Sequence, residues 1–223
     1  MLIKIQSLVE GSKNAEGIVV IIDVLRACTT IPILLKNHAE HIVPVTTPKD
    51  AKQYESRGYI LIGEGEHGHV HDSFHYNNSP GEVYDKDFTG KKIVIRTNNA
   101  TQAILNADKA SDIILASFVN LDACKEYIKN HHIDHVTLVP LGRLGKKGLE
   151  DELCAIALKS ALESKTYDFP GMKKKIYNCE CAALVRNTLK KPEDIELSLK
   201  LNSYPVVPKV YTNTHKVIRA AKT

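Results

Sequence analysis

The residues of this chain that could do chemistry fall where elements of structure should end and meet. Asp23 closes the apolar run 17–22, GIVVII, and Arg26 follows just after it. Glu64 closes another apolar stretch behind Gly63. Thr97, Asn98, Asn99 and Thr101 sit together just before a helical pattern, and Ser117 and Asn120 stand before another. Arg143 lies in the glycine- and base-rich turn 142–148, and Glu150 and Asp151 open the helix after it. Carboxylates converging from separate strands are what a hard cation such as Mg²⁺ needs, with oxygen ligands and retained water. Hydroxyls, amides and free backbone N–H groups at helix starts suit a phosphate. Taken together, these groups fit metal-assisted phosphoryl chemistry. The same residues also have a plainer use. Thr97, Asn99 and Ser117 are good helix caps, and Glu150 with Asp151 complements a helix dipole.

Two further clusters need weighing. The window 67–75 holds His67, His69, His71 and His75, and in a strand the first three would share one face. Alternating histidines suit a softer divalent metal, but the spacing matches no strong zinc signature and reads equally as a polar loop. The five cysteines are Cys28, Cys124, Cys154, Cys179 and Cys181, an odd number with no CxxC pair. A disulfide framework or zinc ribbon is therefore not expected, and free thiols fit a reducing cytoplasm. Cys28 lies near Arg26, yet a buried core thiol is its more ordinary role.

These groups must be held by a scaffold, and the chain supplies one. Apolar runs rich in β-branched residues at 17–23, 42–46, 59–64, 92–97, 112–117 and 136–141 read as strands. Helical patterns at 29–36, 121–130 and 149–164 alternate with them. Pro32 in the first of these is tolerable only in a first turn. Thr47-Pro48-Lys49-Asp50 carries the signals of a helix start. Beyond Met172 two more helical patterns precede an extended segment at 204–208. The alternation predicts an α/β fold with mixed, largely parallel sheets and flanking helices. It is expected as one unit spanning 1–223, with two packed halves dividing near residue 110. Open sheets of this kind place their sites at the carboxyl ends of strands. The irregular stretch 65–90 is long enough to be functional.

The net charge of +4 is mild, and the runs Lys146-Lys147 and Lys173-Lys174-Lys175 lack interleaved aromatics, so no nucleic-acid partner is expected. No apolar run approaches the roughly 20 residues of a membrane span, and no signal-peptide pattern opens the chain.

The motifs, in their order, resemble the 2-phosphosulfolactate phosphatase family. VIIDVLRACTT at 20–30 is similar to the family's VIDVLRATTT; Gly63-Glu64 to its GE; Phe74 with Asn78-Ser79-Pro80 to its F…NSP. TNNATQA at 97–103 is similar to TSNGTRA, SFVN at 117–120 to SF.N, and LEDELCA at 149–155 to ED…AG. The resemblance implies Mg²⁺-dependent hydrolysis of the phosphate ester of a small 2-hydroxy acid, two related α/β halves and a homodimer. By position it makes Asp23, Arg26, Glu64 and Asp151 catalytic candidates. Asn78, Ser79, Asn99, Thr101, Ser117, Asn120 and Arg143 become candidates for holding substrate. Asp23, Glu64, Glu150 and Asp151 become the candidate metal ligands. Asp23 as nucleophile and a metal-bound water remain alternatives. Gly65 and Gln102 stand where the family pattern carries basic residues, Ala100 and Ile156 where it carries glycine. Arg96, Arg143 or the histidines are then expected to supply anion contacts. Two other readings follow from those departures: a hydrolase or lyase of another small anion using a different metal, and a non-catalytic anion-binding protein.

Overall fold

Buried β-branched runs pair side by side, and in this chain they pair into a single sheet. The computed structural model describes residues 1–65, 68–131, 134–212 and 215–221. Among them the strands are β1 (Leu2–Ile5), β2 (Gly17–Ile22), β3 (His41–Val45), β4 (Ile60–Gly63), β5 (Lys92–Arg96), β6 (Ala110–Ala116), β7 (His135–Pro140), β8 (Pro208–Thr212) and β9 (Lys216–Ala220). The helices are α1 (Leu8–Ser12), α2 (Ala27–Lys36), α3 (Pro48–Lys52), α4 (Pro80–Val83), α5 (Ala100–Asn106), α6 (Leu121–Asn130), α7 (Leu149–Leu162), α8 (Phe169–Tyr177), α9 (Glu180–Asn187) and α10 (Pro192–Ser198). None of these helices is long and apolar enough to cross a membrane.

The sheet order is β1-β7-β2-β6-β8-β9-β3-β5-β4. β1, β7, β2 and β6 form one parallel group, and β3, β5 and β4 a second. The antiparallel pair β8–β9 joins them, β8 against β6 and β9 against β3. The two groups interleave along the chain: the first uses strands from both sides of the second. The fold is thus α/β with one mixed, largely parallel sheet, flanked by helices.

Side chains of both groups meet on α2 and α5, where Ile31, Leu34, Ala103 and Ile104 share a core with Ile21 of β2 and Ile95 of β5. These two helices therefore pack across both strand groups on one face of the sheet. The outer face of the first group is covered by α6 to α10. The outer face of the second is covered by a smaller cluster around Ala51 and Phe74.

Local chemistry explains most boundaries. Thr47 accepts the Asp50 N–H at 3.1 Å and Pro48 opens α3, as its residues predict. α2 differs from expectation. It begins at Ala27, so Pro32 lies in its interior rather than its first turn. The helix is buried along nearly its whole length, and that packing outweighs the lost backbone bond. The tail after residue 168 makes three helices rather than two, with Asp168 capping α8 through the Gly171 N–H. Residues 204–207 turn, with the Val206 N–H bonded to the Tyr204 carbonyl at 2.7 Å, so of the expected extended segment only Pro208 joins β8, which with β9 forms a hairpin no apolar run announced.

Candidate active site

Two glycines let the carboxyl ends of the strands carry charge inward. Gly63 has φ +153, and a Cβ there would meet the Arg96 carbonyl oxygen at 2.2 Å. Only glycine lets β4 run that close to β5 and still deliver Glu64 at its end. Gly142 has φ +62, and a Cβ there would meet the Lys146 carbonyl oxygen at 2.1 Å. That fold-back forms the tight turn Arg143–Lys146 after β7.

The residues so delivered line a small pocket of about 60 Å³. Asp23 and Arg26 come from the β2–α2 junction, Glu64 from β4, and Asn98 and Asn99 from the start of α5. Gly142, Arg143 and Glu150 come from the β7–α7 turn, and Cys181 and Leu184 from α9. Arg143, Glu150, Cys181 and Leu184 also line a neighbouring groove of about 610 Å³, so the pocket opens onto a larger space.

The four carboxylates are held differently. Glu64 accepts from Asn78 Nδ2 at 2.7 Å on Oε1 and from Asn98 Nδ2 at 2.6 Å on Oε2. Asp151 accepts the Val24 N–H at 2.7 Å and the Gly142 N–H at 2.9 Å, one on each oxygen. It ties the ends of β2 and β7 together and does not line the pocket. Asp23 accepts only the Ala27 N–H, at 3.3 Å on Oδ1, among the described residues. Glu150 has the Cys179 thiol at 3.6 Å, a weak donor.

Burial pushes the Asp23 carboxyl up to about 7, and the charges of Glu64 and Glu150 push the same way. The Ala27 amide and Arg26 offset part of this. Asp151 is raised well above the usual carboxylate range by burial and by Glu150 and Asp23, against the pull of its two amides. Burial is the larger cause in both, and the neighbouring carboxylates add to it. Arg26, one of the two arginines lining the pocket, is buried. Its Nη1 donates to Asp194 Oδ2 at 3.1 Å and its Nη2 to the Gly68 carbonyl at 2.9 Å, while Glu64 Oε1 lies 3.6 Å away.

Not every predicted residue reaches the pocket. Asn99 does, and its side chain donates to the Gly142 carbonyl at 2.8 Å. Asn78 stands behind Glu64, and Ser79 Oγ donates to Asp194 Oδ1 at 2.7 Å. Thr101 and Thr97 bond to each other across the start of α5. Asn120 is fully buried; it accepts the Ser117 N–H and donates to the carbonyls of Leu115 and Val206. Asn78, Ser79, Thr101, Ser117 and Asn120 are therefore struts behind the wall.

Of the residues expected to supply anion contacts, Arg96 spends its guanidinium on the carbonyls of Thr46, Glu64 and Gly65 and on Asn98. Arg143 lines both spaces. Gln102 is exposed, and Ala100 packs in the core as the first residue of α5.

Among the described residues the histidines do not gather. His71 bonds Ser73, His75 accepts the Leu61 N–H, and His69 is exposed; His67 lies outside the described residues. The segment makes a single bridge, Glu64 to Val70, instead of a strand, because Gly65 and Gly68 interrupt it. Cys28 is buried, and burial with Asp23 and Asp151 drives its thiol up rather than down.

Asp194 was missed. It lies in PEDIELS, where an acid beside Pro192 and Glu193 reads as a helix-start charge. Only the folded chain brings it to Arg26.

A Mg²⁺ ion suits this donor set. Among the described residues no three His, Cys, Asp or Glu side chains are placed to enclose a metal. Mg²⁺ does not ask for such a cage; it keeps several waters and takes one or two carboxylates plus substrate phosphate. Asp23 and Glu150, with open oxygens, meet that need.

Comparison with known proteins agrees with the geometry. The family model described as 2-phosphosulpholactate phosphatase matches residues 3–213. A probable 2-phosphosulfolactate phosphatase of Thermoplasma volcanium is 32% identical over 198 residues, covering 88% of this chain and 90% of that protein. Its counterpart in Thermoplasma acidophilum is 31% identical over 193 residues, covering 85% and 84%. One from Thermotoga maritima is 38% identical over 144 residues, covering 65% and 62%. With strand ends, pocket and motifs in one place, the chain belongs to the 2-phosphosulfolactate phosphatase family, which are phosphoric monoester hydrolases.

Proposed function

We propose that this protein is a Mg²⁺-dependent phosphatase that hydrolyses the phosphate ester of a small 2-hydroxy acid of the 2-phosphosulfolactate kind. The observation that carries this is the convergence of Asp23, Glu64 and Glu150 with Arg26 on one pocket, where burial first and the neighbouring carboxylates second raise Asp23 to about 7. A phosphate dianion entering that space needs a cation beside it. Asp23 and Glu150 would hold the Mg²⁺, which when bound would neutralise phosphoryl oxygens and polarise the phosphorus. Arg26 keeps N–H groups beyond those given to Asp194 and Gly68, and it binds phosphoryl oxygens with them. Glu64, pinned by Asn78 and Asn98, lies 3.6 Å from Arg26 on its other side. Arg143, at the opening toward the larger groove, binds the acid group of the substrate.

Hydrolysis breaks the ester P–O bond and forms a new one from water oxygen, and the leaving hydroxyl of the acid gains a proton. Either Asp23 attacks the phosphorus itself or a water beside it does. The family resemblance and the five free thiols support a homodimer working in a reducing cytoplasm.

The test is release of inorganic phosphate from a panel of phosphorylated 2-hydroxy acids including 2-phosphosulfolactate, with Mg²⁺ and then with chelator. Turnover that stops with chelator and returns with Mg²⁺ is expected. Silence from folded protein across the panel overturns the proposal.

A further inference from the structure

Asp194 is a carboxylate with no exposure to solvent, remote in sequence from every motif that points to the site. It joins three segments. Its Oδ2 accepts from Arg26 Nη1 at 3.1 Å. Its Oδ1 accepts from Ser79 Oγ at 2.7 Å and from the Gly81 N–H at 2.8 Å. The approach is close because residue 81 is glycine: a Cβ there would sit 2.4 Å from Glu193 Cγ and 3.1 Å from Asp194 Oδ1. A carboxylate enclosed at this depth persists only when paired and hydrogen-bonded, and each oxygen here has its partner.

The geometry gives these bonds a purpose beyond folding. Arg26 lies between two carboxylates, Asp194 on one side and Glu64 on the other. It makes a hydrogen bond with the first and stays 3.6 Å from the second. Without Asp194 the guanidinium is free to close on Glu64, and that contact would take up N–H groups that otherwise face the pocket. The other oxygen of Asp194 holds the loop carrying Asn78, whose amide fixes Glu64 at 2.7 Å. One buried side chain thus sets both members of the Arg26–Glu64 gap.

We propose that Asp194 is a positioning residue of the phosphatase reaction, which holds Arg26 off Glu64 so that its guanidinium is available to a phosphoryl group. This rests on the reading of Arg26 as the phosphate-holding cation.

The test is a double-mutant cycle of Asp194→Asn and Arg26→Gln, read as kcat/KM on 2-phosphosulfolactate and as Kd for inorganic phosphate, both with Mg²⁺. Asp194→Asn keeps the shape but sets an amide against the guanidinium. It is expected to lower kcat/KM and phosphate affinity by about 10- to 100-fold, the range for losing a charged hydrogen bond. In the Arg26→Gln background the same change should alter either quantity less than about twofold. Equal losses in both backgrounds would mark a purely structural role and overturn the proposal, as would unchanged kinetics. If Asp194→Asn does not fold, Asp194→Glu keeps the charge and displaces it; its deficit must likewise vanish when Arg26 is replaced. A wild-type protein that binds phosphate but turns over nothing overturns the phosphatase reading, and the Kd cycle still judges Asp194. One that binds no phosphate overturns both.

Discussion

The two sides of the pocket are built on opposite plans. On the side of β2 and α7, Asp23 and Glu150 face the space with few hydrogen-bond donors around them. On the side of β4 and β5, Glu64 has an asparagine on each oxygen, and Arg96 is bound to carbonyls and to Asn98. One side keeps its acids available and the other immobilises them. Carboxylates left without donors are poised for a cation, whereas saturated ones serve as geometry. A charged residue near a phosphate site therefore says little about its role until its partners are counted.

Replacing Asp23 strikes the open side directly. Asp23→Asn should lower kcat by roughly 10³-fold or more, in the range for losing a group acting on the reacting centre. Because ionised Asp23 is disfavoured in the metal-free fold, the same variant should melt no lower than wild type at pH 8. A calorimetric scan beside the assay checks both. On the fixed side, Asn98→Ala removes one of two donors to Glu64 and leaves Asn78 in place. A loss of about 10-fold in kcat/KM is expected, the size of one charge-assisted hydrogen bond. If Asn98→Ala proves as severe as Asp23→Asn, the contrast between the sides fails.

A strut should behave differently again. Asn120→Ala leaves the Ser117 N–H and the Leu115 and Val206 carbonyls without their partner. Denaturant titration should show about 1–3 kcal/mol lost, with KM unchanged within a few-fold. A large rise in KM would move Asn120 from the scaffold into the site.

The smallest effect expected is one of pH on the metal-free protein. Asp23 holds its proton up to about 7 when folded, against 3.8 for an ordinary aspartate. Between those values the folded state binds more protons than the unfolded one, so stability falls as pH rises through that window. The melting temperature should drop by a few degrees from Asp23, and Mg²⁺ should remove that part of the drop.

The comparison also separates what sequence could convey from what it could not. β2 to β7 are legible because each is built around Val, Ile or Leu, and buried parallel strands need that composition. β1 is four residues with alternating exposure at a sheet edge, too short to stand out. β8 and β9 carry lysines, an arginine and a proline, and are strands through pairing rather than propensity. At the site, Asp23, Glu64, Asn99, Arg143 and Glu150 were legible as polar residues ending apolar runs or opening helices. The motifs did not reveal which amides would turn inward to bind the scaffold. Nor could they reveal Asp194, whose contact with Arg26 spans most of the chain.

The hairpin β8–β9 lies at the centre of the sheet although it follows every other strand in sequence. All the pocket residues, and Asp194 as well, precede Pro208. During synthesis, then, the whole catalytic inventory leaves the ribosome before the two strands that join its halves. A chain stalled at that point exposes β6 and β3 as two open edges, each a template for pairing with another chain. Assembly of the site and protection from aggregation are thus completed by the same late step.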